Sequence, residues 1–255
     1  MEIIITKDGK ELGKAAGHAA AVVIRRAISE KGSANIILAT GTSQYETLNQ
    51  VISEPGIDWN NVVMFHLDEY IALPSSAKAS FRNYLKERFI DKIPSLKAAH
   101  LINGDEADTA AECSRLADLI RKHPVDVALV GIGENGHLAF NDPPADFVTE
   151  QPYIIVSLDE ACRRQQVGEG WFHTFADVPK QAITMSIKQI VKSKHIICSV
   201  PDGRKAIAVK NSLEHAVSNL NPASILQLHP ECTFYLDGAS AALLSQNIIS
   251  TTVQK

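Results

Sequence analysis

The stretch VDVALVGIGENGHLAFNDPP, residues 125–144, passes from a strongly apolar run into a loop that holds three glycines, one histidine, two asparagines and one aspartate between 131 and 144. A short run this apolar, bounded by glycine, reads as a strand covered by helices on both faces, the condition of a parallel sheet. The loop after it reads as a place for chemistry. The glycines that lead into His137 let the backbone approach a ligand and leave the imidazole reachable. A capping or core histidine is the plainer alternative.

The same alternation continues outward along the chain. ANIILATG (34–41), NNVVMFHL (60–67), KHIICSV (194–200) and CTFYLD (232–237) read as further strands, and the spacing predicts helices over 8–31, 43–53, 79–91, 106–122 and 203–217. Strands alternating with helices define an α/β protein. With 255 residues and 45% hydrophobic content, residues 1–255 are expected to form a single Rossmann-like domain, with a mostly parallel sheet and helices on both faces. Residues 143–180, rich in polar side chains and proline with weak periodicity, are expected to be irregular, as a lid or a surface excursion.

Composition removes several classes of function. Twenty-five basic against 29 acidic residues give a net charge of -4, which argues against nucleic acid as a partner. No apolar run approaches the roughly 20 residues of a membrane span, and the first residues lack the order of a signal peptide. No membrane partner is expected, and a cytoplasmic location is. Cys113, Cys162, Cys198 and Cys232 are too far apart in sequence for a zinc-chelating pair and read as reduced thiols.

Four strand ends carry the polar residues: Thr40, Gly41, Thr42 and Ser43; Asp68 and Glu69; Gly133 to His137; and Asp202 to Lys205. Open parallel sheets hold their ligands outside the carboxyl ends of the strands, so these loops are expected to converge. Gly41, Thr42 and Ser43 at a helix start suit a phosphate monoester, although capping alone also accounts for them. Lys205 could supply the opposite charge. Asp68 and Glu69 suit a general base, or a turn cap. A metal held by His66, Asp68, His137 and Asp142 is chemically conceivable, but the spacing gives it little support.

FHLDEYIALP (65–74), GIGENGHLAFNDPP (131–144), VPKQAITMSI (178–187) and SILQLHP (224–230), in this order, resemble the glucosamine-6-phosphate deaminase (isomerase) family over nearly the whole chain. That family is related in fold to the 6-phosphogluconolactonases, whose loop continues from Gly-His into Thr-Ala-Ser rather than the Ala-Phe-Asn found at 139–141. The resemblance implies an enzyme that converts an amino-sugar 6-phosphate into fructose 6-phosphate and ammonia with no metal or organic cofactor. Galactosamine 6-phosphate as substrate, a lactonase-like hydrolase and a sugar-phosphate sensor are the alternatives; a homo-oligomer is compatible with all of them.

On the same resemblance, Asp68 is the base that moves a proton between C2 and C1, and His137 assists ring opening. Asn135 and Asp142 stand where the family often has two acidic residues. Asn135 would hydrogen-bond and orient the imidazole without adding charge, and Asp142 would keep the charge on a side chain one methylene shorter than glutamate. Gly41, Thr42 and Ser43 match the phosphate loop and Lys205 its lysine, with Thr40, Glu69 and Gly136 as further substrate-binding candidates. The family's lid arginine is missing: VGEGWF places Gly170 before Trp171, leaving Arg163 or Arg164 as its replacement.

Overall fold

The computed structural model describes residues 1–250 and 253–254, with side chains through Ile248. In chain order the elements are β1 (Glu2–Thr6), α1 (Gly9–Lys31), β2 (Ala34–Leu38), α2 (Tyr45–Ser53), β3 (Val62–His66), β4 (Asp68–Tyr70), α3 (Phe81–Arg88), β5 (Ala98–His100) and α4 (Thr109–Arg121). They continue with β6 (Val127–Val130), β7 (Tyr153–Ser157), α5 (Glu160–Gly168), β8 (Gln181–Met185), α6 (Ile187–Val191), β9 (His195–Val200), α7 (Ala206–Glu214), β10 (Cys232–Asp237), α8 (Gln246–Ser250) and β11 (Val253–Gln254). Among the described residues no helix is long and apolar enough to cross a membrane.

Eight strands form one parallel sheet in the order β11-β1-β10-β9-β6-β2-β3-β5. Its strands alternate between two cores: Ile36, Leu38, Met64 and Leu129 pack with Leu12, Ala16 and Ile24 of α1 on one face, while Ile37, Phe65, Val130 and Cys198 pack with Leu116, Ile187 and Val209 on the other. Burial on both faces is why these strands are continuously apolar. From β2 the chain moves to β3 and β5 on one side, and from β6 to β9 on the other. The reversal between β2 and β6 opens a crevice at their carboxyl ends, where open α/β sheets bind ligands.

Helix α1 begins on Asp8, whose carboxylate accepts from the amides of Lys10 and Glu11, and ends on Gly32 in the left-handed region. It crosses α2 at close range. A Cβ at Gly13 or Gly17 would run into Glu46 or Gln50 of α2, so the glycines let the two backbones touch. That contact fixes the helix that follows the 40–43 turn.

A second sheet, antiparallel and ordered β4-β8-β7, departs from the sequence pattern. The strand read over 60–67 ends at His66 in the large sheet, and Asp68 and Glu69, read as the polar residues at its end, begin a strand of the small sheet instead. Residues 143–180, where composition points to an irregular excursion, supply β7 and α5 to this layer. A third cluster, with Tyr70, Phe81, Phe140, Cys162, Val178 and Ala182, lies beneath them.

Candidate active site

A cavity of about 240 Å³ lies at the crevice. Thr40, Gly41, Thr42 and Ser43 line it from the end of β2, Asp68 from the start of β4, Gly133 and His137 from the loop after β6, and Arg204 and Lys205 from the turn after β9. The four loops singled out in the sequence therefore meet in one space. Gln165, Gln166 and Glu169 of α5 and its carboxyl-terminal turn complete the wall.

Asp68 and Glu69 part company on β4. Among the described residues no hydrogen-bond donor reaches the Asp68 carboxylate. Burial, assisted by the neighbouring Glu69 charge, pushes its pKa up to about 8. Glu69 does not line the cavity. Its carboxylate accepts from the amide of Tyr70 (2.9 Å), the hydroxyl of Ser80 (2.8 Å) and the amides of Phe81 (3.2 Å) and Arg82 (2.8 Å), with the Arg82 guanidinium at 3.6 Å. Glu69 thus anchors the start of α3 rather than meeting a substrate. His66 is buried, accepts from the Ile102 amide at 3.4 Å, and is held down to about 3 by burial and the Arg82 charge.

His137 is fixed from two sides. Its Nδ1 lies 3.0 Å from Oδ1 of Asp142. Burial works to raise Asp142, but hydrogen bonds from His137, Asn135 and the Asp159 amide outweigh it and hold the carboxyl below its ordinary value. Asp142 is then the acceptor and Nδ1 the donor, which leaves Nε2 for a ligand. On the other side the imidazole lies flat on Gly133, where any Cβ would collide with three ring atoms. Asn141 ties the loop down by donating to the carbonyls of Leu138 (2.8 Å) and Met185 (2.9 Å), which connects it to the VPKQAITMSI segment at β8.

Asn135 does not touch the imidazole as the sequence comparison suggested. Its Oδ1 accepts from the His137 amide, while Nδ2 bridges Asp142 and Asp159, all at 3.0 Å. An amide is the side chain that can neutralise the approach of those two carboxylates while still accepting from the backbone. Gly136 lies outside the cavity, with φ +84 and its carbonyl accepting from Ala223. Among the described residues the group able to hold a metal is His137, Asp142 and Cys162, whose ligand atoms lie within 4.8 Å of one another. Asp142 is already saturated by hydrogen bonds, and the Cys162 thiol is pushed up by burial and by nearby carboxylates. His66 and Asp68 do not join it.

The opposite end of the cavity brings a helix-start turn opposite two cations. Gly41 takes φ +94 and turns the chain into the Thr42–Gln44 helical turn that leads into α2, and its carbonyl accepts from the Tyr84 hydroxyl at 2.9 Å. The amides at that turn point outward from a helix start. Asp202, at φ 86, bends the facing loop and caps it by accepting from the Arg204 amide. Lys205 follows, buried, its pKa drawn down by that burial and partly restored by Glu169, 4.0 Å away. Arg204 reaches Asp202 at 2.7 Å and Glu134 at 3.4 Å.

Neither proposed replacement for the lid arginine enters this space. Arg163 is buried, donates to the carbonyls of Phe175 and Val178, and stacks on the Phe175 ring. Arg164 is exposed, pairs with Glu160 at 3.3 Å and leans over the same ring. The cation missed in the sequence is Arg204, directly beside Lys205 at a helix start. Gln165, Gln166 and Glu169 were also missed. Their spacing makes one polar face, but only once 160–168 is known to be helical.

Residues 7–235 match the family model described as glucosamine-6-phosphate isomerases/6-phosphogluconolactonase. A glucosamine-6-phosphate deaminase of Exiguobacterium sp. is 36% identical over 250 residues, which cover 97% of this chain and 94% of that one. One from Bacillus cytotoxicus is 35% identical over 248 residues, 97% and 91% of the two chains. A solved monomeric glucosamine-6-phosphate deaminase superposes with a TM-score of 0.85 at 32% identity, covering 95% of this chain and all of the other. The 6-phosphogluconolactonase of Trypanosoma brucei, at 19% identity and a TM-score of 0.74 over 96% and 98% of the chains, shares the fold.

Proposed function

The chain belongs to the glucosamine-6-phosphate isomerase/6-phosphogluconolactonase family, and on that footing we propose that it converts glucosamine 6-phosphate and water into fructose 6-phosphate and ammonia. One observation carries the reading: an unpartnered carboxylate, Asp68, and an oriented imidazole, His137, share a cavity whose far end is the Gly41–Ser43 turn facing Lys205 and Arg204. The turn and the two cations bind the phosphate, and that remote binding holds C1 and C2 at the other end.

His137, with Nδ1 fixed by Asp142, uses Nε2 to move the proton between the anomeric hydroxyl and the ring oxygen as the sugar opens. Asp68 takes the proton from C2 and returns it to C1. The double bond passes from C1–O through an enolamine to a C2 imine; water adds at C2 and ammonia leaves. A pKa near 8 suits Asp68, because a base that strong can still return its proton to carbon. We assign the chain to the cytoplasm, a reducing compartment in which four free thiols persist.

The test is a substrate panel of glucosamine, galactosamine and N-acetylglucosamine 6-phosphates, unphosphorylated glucosamine and 6-phosphogluconolactone, with ammonia and ketose phosphate measured together. Equimolar ammonia and fructose 6-phosphate from glucosamine 6-phosphate, with very poor turnover of the free sugar, is the expected result. Lactone hydrolysis without ammonia release from any amino sugar would overturn it.

A further inference from the structure

We infer that Gln166 determines the sugar specificity of this cavity by hydrogen-bonding the hydroxyl on C4 of the substrate; the inference rests on the reaction proposed above. Helix α5 runs from the reacting end of the cavity to the phosphate end. Its N-cap, Asp159, accepts from Asn135 and donates its amide to Asp142, both at 3.0 Å, and so belongs to the cluster behind His137. Its C-cap, Glu169, lies 4.0 Å from the Lys205 ammonium. The cavity-lining residues between those ends face the middle of the bound sugar.

Two of the three polar side chains on this wall are committed. Gln165 accepts from the Glu134 amide at 2.9 Å and donates to Glu169 at 2.8 Å, and the second oxygen of Glu169 accepts from the Trp171 indole at 3.1 Å. Gln166 is different. It is 5% exposed, it lines the cavity, and its Oε1 has no hydrogen-bond partner among the described residues. A buried amide oxygen without a partner is costly, and a ligand that supplies the donor recovers that cost. A hydroxyl both donates and accepts, so it satisfies the amide whichever way the group is turned.

Position along the helix selects the hydroxyl. Gln166 stands three residues before Glu169, about 4.5 Å along the axis. Three bonds separate the phosphate ester oxygen from C4 and a fourth reaches its hydroxyl, a comparable extended reach. The gluco and galacto epimers differ at that carbon, so a fixed amide meets the hydroxyl of one and misses that of the other.

The experiment uses the full chain with glucosamine 6-phosphate, its 3-deoxy and 4-deoxy analogues and galactosamine 6-phosphate, each assayed for ammonia. In parallel, 2-amino-2-deoxyglucitol 6-phosphate, an open-chain alcohol that cannot isomerise, is titrated by calorimetry. Gln166→Met is expected to lower kcat/KM for glucosamine 6-phosphate about ten- to a hundredfold, to leave the 4-deoxy analogue unchanged, and to narrow the gap between the epimers. Gln166→Asn, which keeps the amide but withdraws it by one methylene, should behave alike and serves if the Met variant does not fold. Equal losses on the parent and 4-deoxy substrates, or a loss that tracks the 3-hydroxyl, overturn the inference. A wild-type chain that releases no ammonia yet binds the alcohol more tightly than either variant refutes the reaction while upholding the contact. Alcohol binding equal in all three chains refutes the contact.

Discussion

Asp68 and Glu69 are neighbours in one short strand, equally acidic and both buried, yet the two faces of that strand treat them in opposite ways. On the inner face Glu69 receives donors from Tyr70, Ser80, Phe81 and Arg82 and becomes a structural anchor for α3. On the cavity face Asp68 receives none, and burial lifts it to about 8. The fold satisfies one carboxylate and leaves the other unsatisfied, and it is the unsatisfied group that remains available to a substrate. The cations divide in the same way. Arg82 is consumed by Glu69 and Asp105, while Lys205 faces the cavity with its ion-pair partner, Glu169, 4.0 Å away.

The sharpest test of this contrast is Asp68→Asn. It should remove on the order of 10³ to 10⁴-fold of kcat, and with it solvent-deuterium exchange into C1 of fructose 6-phosphate, while the fold is retained. Exchange that survives would move the base to another residue. Glu69→Gln should do the reverse: an amide NH₂ set among N–H and O–H donors costs about 2 to 4 kcal/mol of stability in urea melts, while the folded fraction keeps most of its activity. A Glu69 variant that is stable but inactive would erase the distinction between the faces.

Lys205→Ala carries the comparison to the cations, with KM for glucosamine 6-phosphate rising about ten- to a hundredfold and kcat changing little. The smallest effect is in the pH profile. Because Asp68 acts after losing its proton, kcat/KM should climb about tenfold per unit below pH 8 and level off above it. For stability the sign is opposite: a carboxyl raised from 3.8 to about 8 contributes fully below pH 3.8, and that contribution is lost as pH rises toward 8. Asp68→Asn should therefore raise Tm more at pH 8 than at pH 5. A gain that does not depend on pH would remove burial as the cause.

The middle of the large sheet, β10, β9, β6, β2 and β3, was legible in the sequence because buried parallel strands have no polar face to obscure them, and the four loops converged because every strand of that sheet points the same way. The small sheet was not. β4 is only three residues long, and β7 has no period-2 alternation to read, since Tyr153 is buried while Ile155, on the same face, is exposed. Helix α5 was missed for a related reason: it buries only Cys162, Arg163 and Gln166, so it lacks the apolar stripe that announces a helix. Arg163 and Arg164 were drawn toward the cavity by charge alone, whereas the Phe175 ring and nearby carbonyls hold them outside it. What Asn135 does depends on Asp159, 24 positions away, a partner that its own loop could not disclose.

The glycine beneath the imidazole has a thermodynamic consequence. A histidine on a loop ordinarily samples several rotamers, and selecting one takes free energy on the order of 1 kcal/mol. With its ring laid against Gly133 and its Nδ1 tied to Asp142, His137 has made that selection by the time the chain is folded. The entropy is lost once in the lifetime of each molecule and not again with each sugar that enters.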